Sequence, residues 1–295
     1  MSQMKSLFLL LGLFTLILLS GCVSDSGSGT PSSVPTTTSQ TPIPTPTTTN
    51  QTPLPTPTIT SQTPVPTTSF PPLPGTAENI SVNWAGYAVE TSFTDPEKNS
   101  MDAVEAMWNV PLVDCSLSPD NYASAFWVGI DGFSSLSVEQ IGTDSDCIQG
   151  SPSYYAWYEM YPKDSVTLDI TMKPGDEVHA RVEYTGNNKF QFTIRNAANG
   201  ERDSITDTST VADRSSAEWI AEAPVFRHRI LLLSDFGPVY FLNASVTVKG
   251  VTGPITSTRW AYQPIVMKSR GGGMKATPSG LINNGTSFSI MWDHP

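Results

Sequence analysis

The sequence is poor in the residues on which most site chemistry rests. Of its 295 residues three are cysteine and three are histidine, and two cysteines beyond Cys22 without a histidine cluster do not make a zinc site. His179 falls on the polar side of an alternating stretch, His228 sits between two arginines in FRHRI, and His294 is one residue from the C-terminus, so no metal or cofactor is expected. No H-E-x-x-H and no G-x-S-x-G occurs, which removes the zinc-protease and serine-hydrolase patterns. Positive charge is also short: 16 Lys and Arg stand against 27 Asp and Glu, a net charge of −11. That balance excludes nucleic acid and anionic lipid as partners and favours solubility. Beyond residue 22 no amphipathic run is long enough for a substantial helix.

What is present begins with an export signal in residues 1–22. Lys5 supplies the basic n-region, an apolar run from Leu7 to Leu19 follows, and Leu19-Ser20-Gly21-Cys22 matches the box in which the cysteine becomes the lipid-bearing first residue. A signal-anchor helix is the competing reading, though the run is short for a span. Either reading places the chain outside the cytoplasm, touching membrane only through its N-terminal anchor. Residues 23–75 are Thr, Pro, Ser and Gln, with the repeat QTPIPTPTTTN, QTPLPTPTITS and a partial third copy. So little there can be buried that no core forms, and proline favours polyproline II, a stalk reaching on the order of 150 Å. Sequons at Asn50, Asn79, Asn243 and Asn284 are candidate glycan sites. Cys115 and Cys147 are expected to form one disulfide, since an exported chain is oxidised. Closing a loop of about 33 residues stabilises by roughly 3 to 4 kcal/mol.

Residues 76–295 form the domain. Short alternating runs separated by Gly, Asp, Asn and Pro predict an all-β sandwich of two packed antiparallel sheets. In EVHARVEY from Glu177 and KFQFTIR from Lys189 one face is apolar and the other polar, with Gly186-Asn187-Asn188 as the hairpin loop. The runs PVYFLNASVTV from Pro238 and TSFSIMW from Thr286 complete the sandwich, and KSRGGGMK from Lys268 reads as a mobile loop.

Four runs alternate less cleanly: SVNWAGYAV from Ser81, SAFWVGIDG from Ser124, SVEQIG from Ser137 and YYAWYEMYP from Tyr154. Period two puts Trp127, Gly129 and Asp131 on one face, and Tyr155, Trp157, Glu159 and Tyr161 on another. Small residues after Trp84 allow a neighbouring chain to approach closely. In SSAEWIAEAP, from Ser215, the same spacing puts Glu218, Ile220 and Glu222 opposite Trp219 and Ala221. That acidic face is either solvated surface or a groove whose buried acids are kept for chemistry.

The words VNWAG, WVGIDG, a glutamine nine residues past the aspartate followed by IG, AWYEMYP and AEWIAE resemble, in order and spacing, the eqolisin or glutamic peptidase family. The resemblance runs from Trp84 to Glu222. It implies a sandwich of two bent antiparallel sheets, like a concanavalin jelly roll, and a monomer that acts on polypeptides. It places Gln140 and Glu222 on the catalytic dyad, and Trp84, Trp127, Asp131, Trp157 and Glu159 on positions that line or support the cleft. Fungal members carry a pro-segment where this chain has its signal and stalk. Ala223 and Pro224 replace a more acidic stretch, so subsite preference does not transfer.

The chemistry expected of the pair is acid-range endopeptidase action. A carboxylate can take a proton from water and return it to the leaving nitrogen, while an amide N–H steadies the oxyanion. Asp131 and Glu159 are expected to orient the glutamine amide or the water. Two other readings fit the acids and tryptophans: a glycosidase using Glu159 and Glu222, which leaves Gln140 without a role, and a carbohydrate- or peptide-binding module that kept the groove without activity.

Overall fold

The computed structural model describes residues 78–116 and 120–295, all within one compact unit. The export signal, Cys22, the stalk and Asn50 lie outside the described residues. Strands make up nearly all the regular structure, and the helical element among the described residues is a single 3-10 turn at Asn283–Gly285.

The strands divide between two sheets. In one, Ser216–Glu222 is central, paired antiparallel with Trp84–Glu90 on one side and Ala125–Ile130 on the other. The sheet continues outward from Ala125–Ile130 through Val138–Ile148, Ser151–Tyr161 and Val166–Thr171. On its other flank Ala261–Lys268 pairs with Trp84–Glu90 and turns into Met274–Pro278. The second sheet contains Arg202–Thr208, Lys189–Asn196, Glu177–Gly186 and Met101–Asn109 in that order. Pro238–Val248 links the two: its first residues pair with Phe288–Trp292 in the first sheet and its last with Met101–Asn109 in the second. The register shifts between Leu242 and Ser245, where Asn243 takes a positive φ of 52°, and that irregularity turns the corner.

Alternation explains the core. Val178, Ala180 and Val182 of one strand, Phe190, Phe192 and Ile194 of the next, and Trp219 and Ala221 of the central strand are all buried in a common cluster between the sheets. Gly86 permits the tightest approach in the first sheet: a Cβ there would lie 2.0 Å from the carbonyl oxygen of Trp219. The Lys268–Lys275 stretch joins two paired strands. It is a hairpin whose turn is closed by Ser269 N–H donating to Gly273 (2.8 Å) and Gly272 N–H donating to Ser269 (2.9 Å), and it buries Lys275.

Candidate active site

The other face of the first sheet builds the site through its register. One row across the strands runs Ala88, Glu218, Gly129, Gln140 and Glu159. Two residues along lies Gly86, Ile220, Trp127, Gly142 and Trp157, and two further Trp84, Glu222, Ala125, Asp144 and Tyr155. Because side chains alternate, all fifteen positions face the same way. The acids here are not a solvated surface. Glu218 is 0% and Glu222 2% exposed, among the apolar side chains Trp84, Trp127, Trp157, Ile220 and Ile265.

Glu222 is held by N–H donors. Asn83 Nδ2 donates to Oε1 at 3.0 Å and Trp127 Nε1 to Oε2 at 3.0 Å. Trp84 stands against Trp127 edge to face, ring centroids 4.9 Å apart. Its indole N–H has no hydrogen-bond partner of its own, yet its dipole also favours the charged carboxylate. Burial outweighs these donors and raises the Glu222 pKa to about 7. Asn83 went unremarked in the sequence, although it stands inside the word that carries Trp84.

Gln140 is fixed from the opposite side. Its Nε2 donates a short hydrogen bond to Glu159 Oε2, which sets the amide so that its second N–H is left to point elsewhere. A Cβ on Gly129 would meet Trp127 Cζ3 at 2.9 Å and Gln140 Cβ at 3.1 Å. The missing side chain is therefore the space in which the benzo edge of Trp127 lies beside Gln140. One indole thus reaches from Glu222 to the flank of Gln140. Glu218, across Gly129 from Gln140, is different in kind: neither carboxyl oxygen makes a well-formed hydrogen bond, and burial outweighs the nearby Ser216 hydroxyl and Phe133 N–H and raises its pKa well above the ordinary value.

Asp131, expected from the sequence to orient the glutamine amide or the water, makes its hydrogen bonds elsewhere than to Gln140. The strand ends at Ile130, and Asp131 turns away with a φ of 72°. Its carboxylate accepts from the backbone N–H of Arg214 (2.7 Å) and Ser215 (2.9 Å) and from the Ser215 hydroxyl (3.1 Å). Asp131 therefore ties the end of one strand to the start of the central one, and Glu159 alone of the two acids contacts the glutamine.

Sequence reading also missed a buried acid pair at the other end of the floor. The Tyr155 hydroxyl lies 2.9 Å from Asp144 Oδ2 and 3.0 Å from Asp146 Oδ2, and Trp157 Nε1 donates to Asp144 Oδ1. The two carboxylates share the one phenolic hydrogen, and their closeness works against both being charged. Burial raises both pKa values, that of Asp146 to about 7. Their i, i+2 spacing was visible, but nothing in the sequence told a buried polar face from a wet one. Cys115 and Cys147 are joined by a disulfide, Cα to Cα 5.4 Å. No group of three or more His, Cys, Asp or Glu side chains among the described residues is placed to hold a metal ion.

A two-sheet sandwich whose groove sets carboxylates and an amide among tryptophans is the architecture of a glutamic peptidase. The profile of the Peptidase A4 family matches residues 82–286, and the chain belongs to that family. It is 34% identical over 199 residues to aspergillopepsin-2 of Aspergillus niger, covering 62% of this chain and 71% of that protein. It is 31% identical over 148 residues to scytalidopepsin B of Scytalidium lignicola, covering 48% of this chain and 52% of that protein. A crystal structure of scytalido-glutamic peptidase with a transition state analog inhibitor superposes with a TM-score of 0.61 at 25% identity, covering 72% of this chain and 99% of that one. The protein is a glutamic endopeptidase, a hydrolase of peptide bonds. The glycosidase and binding-module readings give way to this. Glu159 is committed to Gln140, and it stands three strands and four residues from Glu222.

Proposed function

We propose that Glu222 and Gln140 are the working pair, and that the enzyme cleaves polypeptides outside the cytoplasm and on the acid side of neutrality. The observation that carries this reading is the contrast between the two glutamates of the central strand. Glu222 is met by Asn83 and Trp127 donors that keep its ionised form within reach, whereas Glu218 makes no well-formed hydrogen bond and burial raises its pKa well above the ordinary value. Asn83 and Trp84 also border an open cavity, so substrate can come alongside Glu222.

Gln140 and Glu222 are two strands and four residues apart, about 16 Å between backbones in a flat sheet. Two extended side chains narrow that to roughly the width of one peptide group and its attacking water. The ionised fraction of Glu222, a minority below pH 7 that the Asn83 and Trp127 donors enlarge, would take the proton of that water as oxygen bonds to the carbonyl carbon. The free N–H of Gln140, held in place by Glu159, would donate to the tetrahedral oxygen. Glu222 would then return the proton to the leaving nitrogen as the C–N bond breaks. Trp84, Trp127 and Trp157 would wall the site and exclude bulk water. The export signal, lipid attachment at Cys22, the stalk and a monomeric state are part of the same proposal, resting on residues 1–75 as read from sequence.

The test is hydrolysis of denatured protein by the full chain from pH 4 to 8. Glu222→Gln and Gln140→Ala should each lower kcat/KM by about a hundredfold or more with unchanged melting temperature at pH 4. Activity retained by either variant would reject the pair.

A further inference from the structure

The domain is acidic, yet its two most basic stretches, residues 226–230 (FRHRI) and 268–275 (KSRGGGMK), meet at one place. They border a cavity of about 1070 Å³ into which His228, Arg229, Arg270 and Lys275 face. Among the described residues no aspartate or glutamate side chain lines it.

Two features show that these charges are held there at a cost. Lys275 is only 6% exposed. Burial lowers its pKa, and its side chain lines the cavity, so its charged form gains when an anion enters. The basic hairpin is strained as well. Val225–Phe226 pairs with Arg229–Ile230, and the two turn residues, Arg227 and His228, both have positive φ, 46° and 66°. Asn-Gly is the pair that suits such a turn, and long side chains there are a departure from what the backbone prefers.

The cavity borders the candidate site at Asn83 and Trp84. Its wall includes Asn83, which donates to Glu222, and Trp84, which pairs with Glu222 across the sheet. A polypeptide with its scissile bond at Glu222 has neighbouring residues within reach of the cations.

We propose that this cavity is a substrate subsite for a carboxylate, so that the enzyme prefers to cut near an acidic residue or near a free C-terminus. The proposal rests on the peptidase reading above and adds the chemistry of substrate choice. Lys275 supplies the desolvated charge, and Arg229, Arg270 and His228 supply the rim. In a domain of net negative charge such a pocket also offsets the repulsion an acidic substrate would meet elsewhere.

The experiment uses the full chain at about pH 5.5, where glutamate side chains of a peptide are largely ionised. Fluorogenic peptides of one sequence carry Glu or Gln at each position flanking the bond, each as the free acid and as the C-terminal amide. A Glu-over-Gln ratio in kcat/KM of about tenfold at one position assigns an acidic side chain. A similar acid-over-amide ratio assigns a chain terminus. In either case Arg270→Gln should reduce the ratio and Lys275→Met should bring it near one, while cleavage of the neutral peptide persists. Arg270 is exposed, so its variant keeps the test open if Lys275→Met does not fold. Cleavage of all peptides with no ratio above about twofold, or a ratio unchanged in Arg270→Gln, overturns the subsite and leaves the peptidase standing. If no peptide is cut, the peptidase reading fails and the subsite fails with it.

Discussion

Raising the pH should unfold this protein, and the structure says why. Burial raises the pKa of Glu90 to about 7, Glu139 to about 9, Asp146 to about 7 and Glu222 to about 7, and lifts Asp144 and Glu218 well above the ordinary value. In the unfolded chain the same groups titrate near about 4. A group raised by folding contributes stability that is complete below its unfolded pKa and lost as pH climbs through its folded pKa. The fold should therefore be most stable near pH 4 and should weaken progressively toward pH 7 and above. Each proton that the folded state keeps and the unfolded chain has lost costs about 1.4 kcal/mol per pH unit. Two such protons held from pH 5 to 7 remove about 6 kcal/mol, comparable with the whole stability of an ordinary domain. Urea unfolding followed by tryptophan fluorescence at pH 4, 5, 6 and 7 measures the loss directly. Glu139→Gln sharpens it: the neutral amide should stabilise relative to wild type at pH 7 and give little gain at pH 4. A midpoint that is flat or rises from pH 4 to 7 would refute the reasoning.

Gly86→Ala should be among the most destabilising single changes, about 3 kcal/mol or more, because its Cβ would meet Trp219 O at 2.0 Å and its φ is 146°; thermal melting at pH 4 reads it. Trp127→Phe removes an N–H donor from Glu222 and raises its pKa further, so kcat/KM on the acid side of neutrality should fall and the loss should shrink as pH approaches 8, whereas a purely structural tryptophan would cost the same factor at every pH. Glu159→Gln frees the Gln140 amide and should lower kcat about tenfold to a hundredfold with KM little changed, which steady-state kinetics would show.

How far the sequence revealed this depends on what each strand faces. The strands Glu177–Gly186 and Lys189–Asn196 were legible because one side meets the core and the other meets water, and Asn187 and Asn188 take the two positive-φ turn positions, 53° and 60°. The floor of the site was legible only as words. Its polar and aromatic side chains are both buried, so period two fixes which residues share a face but not whether the face is wet. That is why Glu222 and Gln140 could be placed by resemblance while Asp144 and Asp146 passed as ordinary polar positions. Asp131 misled for a local reason. Period two carries it onto the face of Trp127 and Gly129, but its positive φ takes it out of the strand, and an aspartate before a glycine signals such a departure only weakly. In residues 268–275 the glycines signalled the turn but not the burial of Lys275 at the start of the next strand.

The most direct test is a crystal structure of the full chain with a peptide whose scissile bond is replaced by a non-hydrolysable tetrahedral centre. The account predicts one oxygen of that centre about 2.7 to 3.1 Å from Gln140 Nε2 and the other equally close to a Glu222 oxygen, with Trp127 alongside. A centre that contacts only one of the two side chains, or that binds through Glu218 instead, would contradict it.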